Sequence, residues 1–225
     1  MSHRHFQDEL DRLKSMLVGM AGLAEEAVRN AVDALLERDA AKAQLVKSND
    51  DRIDELEVQV DNHAMSLLAL QQPMARDLRL ITMAMKISND LERVGDHAVN
   101  ISEMLEFLIE SPPFPVIPEI EEMQSIATQM LSSALDAFIR GDNQLARTVL
   151  EQDDRVDDLH DNNFLILLTH MMEDPRKITA GMDLLLISGN LERIADLATN
   201  IAEDVVYLVE GQSIKHHTQT RETPR

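Results

Sequence analysis

The sequence predicts an all-α protein built as a tandem duplication of an antiparallel three-helix bundle, with six long helices in total. Three observations lead to this prediction: a helix-forming composition, apolar residues at helical spacing, and a long internal repeat. Of the 225 residues, 44% are hydrophobic and only 3% are aromatic, with seven Gly and seven Pro. Long helices with Leu, Ala, Met and Val interiors have this composition, whereas a β-sandwich would need more Val, Tyr, Thr and turn residues.

The strongest feature of the sequence is the internal repeat. Segment 88–103 reappears as 188–203, at an offset of 100 residues. Segment 50–56 matches 153–159 at an offset of 103 residues, so three residues are lost in the turn between the two blocks. Halves of this length exceed the roughly 34-residue unit of helix-pair solenoids, and the chain is therefore predicted to be a duplicated domain.

Helix signals divide the first half into three elements. The first helix is predicted over about 7–38, and Asp39 is a good N-cap for a second helix that runs to Gln71. Pro73 ends that helix, and a third runs over about 75–109. The apolar residues of the first helix fall at helical spacing: Leu10, Leu13, Leu17, Met20, Ala24, Val28, Ala31 and Leu35.

The second half shows the same kind of helix start and stop signals. Gly141 and Asp142 are a C-cap followed by an N-cap, and Asp174 precedes Pro175 in an N-cap and first-turn signal. A Pro-rich linker separates the halves, and the last residues are polar. The predicted divisions are a first bundle at 1–110, a linker at 111–118, a second bundle at 119–210 and a disordered polar tail at 211–225.

Charge and composition exclude several classes of function. The chain has 21 Lys and Arg against 41 Asp and Glu, a formal net charge of −20, which repels nucleic acid and anionic lipid. It has no Cys, so neither a disulfide nor a thiolate metal site is possible. No apolar stretch approaches the roughly 20 residues of a membrane span, and no signal peptide is evident. We expect a cytoplasmic protein without direct membrane insertion.

Acidic pairs recur on the inner helices of both halves. Residues at positions i and i+4 share a helix face, so each pair directs two carboxylates to one place, at a cost of a few tenths of a kcal/mol. The eight carboxylates are Asp50 with Asp54, Glu92 with Asp96, Asp153 with Asp157, and Glu192 with Asp196. If the pairs of neighbouring helices face each other, their hard oxygen donors suit Mg, Mn, Ca or iron, and also Zn.

The alternative is a solvated face with local ion pairs. Arg93 stands three residues before Asp96, and Arg193 stands three residues before Asp196, so both can neutralise a carboxylate of the proposed site. A single acidic pair is a weak signal, while four pairs in register across a duplication are moderately specific. Spacing alone leaves both interpretations open.

Enzyme signatures are incomplete, and we predict no catalytic residues, no organic cofactor and no enzymatic activity. A catalytic di-iron bundle needs a Glu-x-x-His motif from two helices. His97 follows Asp96 in the first repeat, but Leu197 occupies that place in the second, and the counterpart of His160 is Glu57. The sequence has no Gly-rich phosphate loop, no Ser/His/Asp arrangement in strand–turn–helix context and no dinucleotide fingerprint.

Taken together, these segments resemble the PhoU family. The resemblance is carried by Asn-Asp-Leu-Glu-Arg-Val-Gly-Asp-His-Ala at 89–98, its second copy at 190–201, Gln-Pro-Met-Ala-Arg-Asp-Leu-Arg at 72–79 and Asp-Asp-Arg-Ile-Asp at 50–54. It covers about 6–210, which is nearly the whole chain.

The resemblance implies a negative regulator of phosphate uptake and of the phosphate-starvation response. Such proteins act between a Pst-type phosphate ABC transporter and a PhoR-type sensor kinase, and they often form homodimers. Some bind metal clusters through Glu/Asp-x-x-x-Asp motifs, which fall here on the eight carboxylates named above. Gly189 replaces Asn89 and Leu197 replaces His97, so the two sites need not be equivalent. The competing interpretations are a carboxylate-rich metal-binding scaffold without a phosphate-signalling role and a metal-storage or oxidase bundle.

Overall fold

The structure, a computed structural model, describes residues 3–111, 114–115 and 117–211. Within these ranges the chain is helical and has no strand, which confirms the all-α prediction with six long helices. The helices are α1 (His3–Glu37), α2 (Ala40–Asn49), α3 (Asp51–Gln71), α4 (Ala75–Glu110), α5 (Pro118–Arg140), α6 (Asn143–Glu173) and α7 (Ile178–Glu210). Apart from Gly211, the predicted tail lies outside the described residues.

One predicted helix is divided. The second helix was predicted to be continuous to Gln71, but it is interrupted at Asp50, between α2 and α3. Asp50 keeps a right-handed helical backbone (φ −62°, ψ −40°), and its carbonyl accepts from the Ile53 N–H at 2.7 Å in a tight i to i+3 bond. Asn and Asp side chains compete with helical backbone bonding, and Asn49, Asp50 and Asp51 follow one another here. The corresponding α6 runs without interruption.

The predicted caps form. The Asp39 side chain accepts from the backbone N–H groups of Ala41 and Lys42. Asp142 does the same for Gln144 and Leu145, directly after Gly141 adopts the left-handed conformation (φ 66°) that ends α5. The third predicted N-cap, Asp174, caps a 3₁₀ turn (Pro175–Lys177) with its side chain, so that α7 begins only at Ile178.

The two halves pack through antiparallel helices. Helix α4 lies along α7, where Lys86 contacts Asp204 and His97 contacts Asn190. Helix α1 lies along α5, and the Lys14 Nζ donates to the Ile139 carbonyl at 3.4 Å. The buried apolar residues of both halves form one continuous cluster. The division into two domains, 1–110 and 119–210, stays a prediction.

The linker region contributes to this packing. Helix α5 begins at Pro118, the last residue of the predicted linker, and Pro at the first helical position has no N–H to leave unpaired. Ile117 is buried and Phe114 packs against the core. None of the helices in the described part of the chain is both long enough and apolar enough to cross a lipid bilayer.

Candidate functional site

The first acidic cluster forms where α3 packs against α4. Asp50 and Asp54 lie at the start of α3, and Glu92 and Asp96 lie on α4. The Asp50 carboxylate reaches the backbone of α4 at Gly95: a Cβ placed on that glycine would lie 2.8 Å from Asp50 Oδ1. A residue without a side chain is therefore what allows the Asp50 carboxylate to sit between the two helices.

Mutual repulsion and burial raise the pKa values in this cluster. The pKa of Glu92 rises to about 7, first because burial disfavours its charged form and then because Asp96, Glu57, Asp54 and Asp50 repel it. The pKa of Asp50 rises to about 6 for the same reasons, with burial first and Asp54 second. Burial also raises the pKa of Asp54, and Asp96 adds to the effect. The two acidic pairs therefore lie close enough to repel each other, and their role as a shared site stays a prediction.

The second acidic cluster forms in the same way between α6 and α7. Burial raises the pKa of Asp153 to about 6, followed by repulsion from Asp157, Asp196, Asp154 and Glu192. The pKa of Asp157 is also raised, by burial and then by Asp196. One oxygen of Asp153, Oδ1, is buried and has no hydrogen-bond partner among the described residues. A buried carboxylate oxygen without a donor is unfavourable unless a cation or a proton neutralises it.

The ion pairs expected of a solvated face do not form here. Arg93 is 4.0 Å from Asp90 and does not pair with Asp96, while Arg155 pairs with Glu122 at 2.6 Å. Within the described ranges, none of the eight predicted carboxylates has an ion-pair partner among Lys, Arg or His. Each cluster therefore carries negative charge that the described residues do not neutralise through ion pairs.

The donor chemistry of both clusters fits a hard cation. Carboxylate oxygens are the preferred ligands of Mg²⁺, Ca²⁺ and Mn²⁺, and the buried Asp153 Oδ1 lacks a partner. The side chains are not arranged as a ready-made cage, since no group of three or more His, Asp or Glu among the described residues is placed to hold a metal ion. Metal binding at the eight carboxylates stays a prediction.

The two clusters also differ at the position of Glu57. Glu57 lies in the first cluster, where it repels Glu92 and accepts from Asn89 at 3.4 Å. Its counterpart His160 lowers the pKa of Asp157 and contacts the Ser188 hydroxyl at 2.9 Å. The sequence signal was present, because Glu57 lies one turn after Asp54 on the same face, but Glu57 was not among the predicted ligands.

Comparison with known proteins identifies the family. The sequence model described as the PhoU domain matches residues 17–105 and 120–205, one match in each half. A phosphate-specific transport system accessory protein PhoU homolog from Pseudomonas aeruginosa is 40% identical over 97% of this chain and 90% of its own length. A homolog with the same name from Aquifex aeolicus is 41% identical over 92% of this chain and 94% of its own. The chain belongs to the PhoU family.

Solved PhoU structures share the fold. The crystal structure of PhoU from Pseudomonas aeruginosa superimposes with a TM-score of 0.88 at 40% identity, covering 92% of this chain and all of that one. PhoU from Streptococcus pneumoniae, a phosphate transport system regulatory protein, superimposes with a TM-score of 0.86 at 29% identity, covering 93% of this chain and 99% of that one. The resemblance drawn from segments 89–98 and 190–201 is thus confirmed over nearly the full chain.

The raised pKa values of this PhoU-family chain predict a pH-dependent stability. Free Asp and Glu titrate near 3.9 and 4.3, whereas native Asp50, Asp153 and Glu92 titrate at about 6 to 7. Between about pH 4 and pH 7 the native state binds more protons than the unfolded chain, so the free energy of unfolding falls as the pH rises. After discounting for partial solvent exposure, we expect a loss of at least about 1 kcal/mol, or about 2–4 °C in Tm, from pH 5 to pH 8.

Thermal unfolding in EDTA at both pH values measures this effect. The variant with Asp50→Asn, Glu92→Gln and Asp153→Asn should be less sensitive to pH than the unsubstituted protein, because its three amides do not titrate. An unchanged difference in Tm between pH 5 and pH 8 in this variant would place the proton uptake elsewhere.

A second prediction concerns Gly95. In Gly95→Ala the new Cβ would lie 2.8 Å from Asp50 Oδ1 and 3.0 Å from Ile53 Cδ1, so the Asp50 side chain must move. Alanine also favours the helix by roughly 0.5–1 kcal/mol, and we expect little net loss of stability but a weaker binding of Mn²⁺ at the first cluster. Gly19→Ala is the matched control, because Gly19 lies in α1 with nothing within 4 Å of its Cβ position. Equal Mn²⁺ affinity in the two variants, measured by calorimetry, would contradict a ligand role for Asp50.

Proposed function

We propose that this protein is a negative regulator of phosphate uptake and of the phosphate-starvation response. In this role it acts as an adaptor between a Pst-type phosphate ABC transporter and a PhoR-type sensor kinase. The observation that carries the proposal is the PhoU-domain match in both halves, together with relatives of about 40% identity that are named phosphate-specific transport system accessory proteins. The proposed activity is binding and release of partners, without a catalytic step.

The acidic clusters support an adaptor role. Each half carries four carboxylates without a cationic partner within the described ranges, next to a pair of long packed helices. Charge of this kind favours a basic surface on a partner or a bound cation, and complementary charge steers association and sets orientation. We propose that the helix surfaces that carry the two acidic clusters dock in the cytoplasm on the transporter or the kinase. We also propose that the protein acts as a homodimer.

Metal binding is the second part of the proposal. Asp50, Asp54, Glu92 and Asp96 would hold a cation in the first half, and Asp153, Asp157, Glu192 and Asp196 would hold one in the second. A divalent or iron ion would supply positive charge that removes the repulsion between these carboxylates. The chain contributes the oxygen ligands, and Gly95 gives room for the Asp50 carboxylate.

Alkaline phosphatase activity tests the regulatory role. Bacteria that lack their own PhoU-type protein are grown in phosphate-rich medium with and without this chain, and its level is checked by immunoblot. Repression of phosphatase on adding the chain is the expected result. If the folded, expressed chain gives no repression, the test is repeated by deleting its gene in the native host. Unchanged phosphatase activity there would overturn the proposal.

A carboxylate-rich metal-binding scaffold is the second candidate, favoured by the unneutralised clusters alone. It predicts binding of Mn²⁺ or Mg²⁺ by the purified protein but no change in phosphatase activity when the gene is lost. Since both candidates predict metal binding, phosphatase activity after loss of the gene separates them.

A further inference from the structure

A basic cleft lies where the two halves meet, beside the turn between α3 and α4. It is lined by Lys14 of α1, Arg76 and Arg79 of α4, and Arg140 and Gly141 at the end of α5, with apolar side chains between them. Its volume is about 330 Å³, and none of the described residues that line it is Asp or Glu. Four cationic side chains thus converge in a protein whose net charge is −20.

Most of this positive charge is not neutralised by the chain. Arg140 pairs with Asp136 at 2.8 Å, and Lys14 donates to a backbone carbonyl. Arg76 and Arg79 have no ion-pair partner among the described residues. The Nε of Arg79 is buried and has no hydrogen-bond acceptor in the described part of the chain. A buried donor without an acceptor is unfavourable, so an acceptor from outside the chain would stabilise this arrangement.

The duplication supplies an internal comparison. Arg176 occupies the position of Arg76 in the second half, but Asp174 holds its guanidinium through two contacts of 3.0 Å. Thr179 stands where the first half has Arg79. The two arginines that α4 contributes to the cleft therefore have no unpaired equivalent at these positions of the second half, and the basic lining does not follow from the duplicated fold.

A second cleft lies at the opposite end of the molecule and is largely apolar. Its lining includes Leu105, Leu108, Ile120 and Leu184, and its one Arg is Arg38. The Arg38 Nη2 donates to the carbonyls at the end of α4 at 2.7–3.2 Å, so this charge is used within the chain. Among the described residues that line this second cleft, no cation is left without a partner.

From this arrangement we infer that the basic cleft binds the phosphate group of a small molecule, either inorganic phosphate or a nucleotide. Guanidinium groups bind phosphate oxygens through two parallel hydrogen bonds, and the Arg79 Nε–H is an unused donor of this kind. Helix α4 adds a positive dipole end, since it begins at Ala75 and its N-cap residue, Met74, makes no side-chain cap bond. The inference rests on the proposed function, because it gives the regulator a direct contact with the ion it responds to.

A bound phosphate would also link the two halves. The cleft takes its cationic side chains from α1 and α4 in the first half and from α5 in the second. A ligand that binds only the folded arrangement raises its stability in proportion to occupancy. Phosphate status could in this way alter the packing of the halves on which partner docking depends.

Calorimetry on the full chain tests the site, with sodium phosphate titrated at constant ionic strength against sodium chloride. We expect binding that weakens about ten- to hundred-fold in Arg76→Gln and in Arg79→Gln, as expected for the loss of hydrogen bonds to a charged group. Arg12→Gln is the matched control, because Arg12 is exposed on α1 and lies outside the cleft. Arg79→Lys retains the positive charge but not the guanidinium group with its two parallel hydrogen bonds. It replaces Arg79→Gln in the test if Arg79→Gln does not fold.

A second titration with ATP distinguishes the source of the phosphate group. Binding of inorganic phosphate that is lost in the arginine variants identifies the free ion as the ligand, and ATP binding alone identifies a nucleotide. Absence of binding by both, or equal binding by Arg12→Gln and the cleft variants, overturns the inference. The phosphatase assay tests the proposed function independently of the phosphate site. Repression without phosphate binding would reject the site and keep the proposed function. Phosphate binding with unchanged phosphatase activity after gene deletion in the native host would reject the function.

Discussion

Simultaneous alanine substitution of Glu92, Asp96, Glu192 and Asp196 is expected to abolish repression of alkaline phosphatase while leaving the protein helical. The substitutions remove the carboxylates that α4 and α7 contribute to the two clusters, so a metal ion or a basic partner surface loses half of its ligands in each cluster. Stability should be retained or increased, because like-charge repulsion falls and Ala is a strong helix former.

The measurement is phosphatase activity in phosphate-rich medium, alongside circular dichroism of the purified variant. The control carries the same change of charge at exposed carboxylates outside the clusters, and its substituted residues are Asp8, Glu26, Glu121 and Glu151. The control variant should repress normally. Full repression by the cluster variant would show that the carboxylates have no part in signalling.

The largest loss of stability is expected from Lys86→Met. Asp204 of α7 is only 3% exposed, and the Lys86 Nζ of α4 contacts both of its carboxylate oxygens, at 2.9 and 2.7 Å. Removing the ammonium group takes its main counter-charge from a buried carboxylate, which costs about 3–5 kcal/mol at fully buried pairs. Because Lys86 is itself half exposed, we expect a loss of about 2–3 kcal/mol.

Urea unfolding measures this loss. Lys42→Met is the matched control, since Lys42 and Glu37 form a similarly short pair of 2.6 Å on the surface, where solvent screening leaves an ion pair little effect on stability. The double variant Lys86→Met with Asp204→Leu should recover much of the lost stability, because no buried charge remains. Equal losses for Lys86→Met and Lys42→Met would show that burial of Asp204 has no energetic consequence.

These two predictions differ in how far the sequence alone could supply them. The acidic pairs were readable because i and i+4 spacing fixes which residues share a helix face, whatever the helix packs against. The burial of Asp204 could not be predicted from the sequence. An acidic residue is ordinarily assigned to the surface, but α7 places Asp204 in the contact between the halves.

Local rules determined the helices of this protein. Asp39, Gly141 and Asp142 end and restart helices through bonds within a few residues, and the apolar spacing fixes the buried face of each helix. The break at Asp50 was not predicted, because consecutive Asn and Asp side chains are a weak signal: Asp153 and Asp154 stand at matching positions in α6, which is not interrupted.

Only the tertiary structure decided how the two copies meet. The antiparallel pairing of α4 with α7 depends on side chains about one hundred residues apart, such as His97 and Asn190, and no local pattern specifies it. The junction of the halves also brings Arg140 of α5 to the cleft that Lys14 of α1 and Arg76 of α4 line. Short-range hydrogen bonds and side-chain periodicity are determined by residues that are close together in the sequence. The junction of the halves depends instead on the fit between complete helix surfaces, and these surfaces exist only in the folded chain.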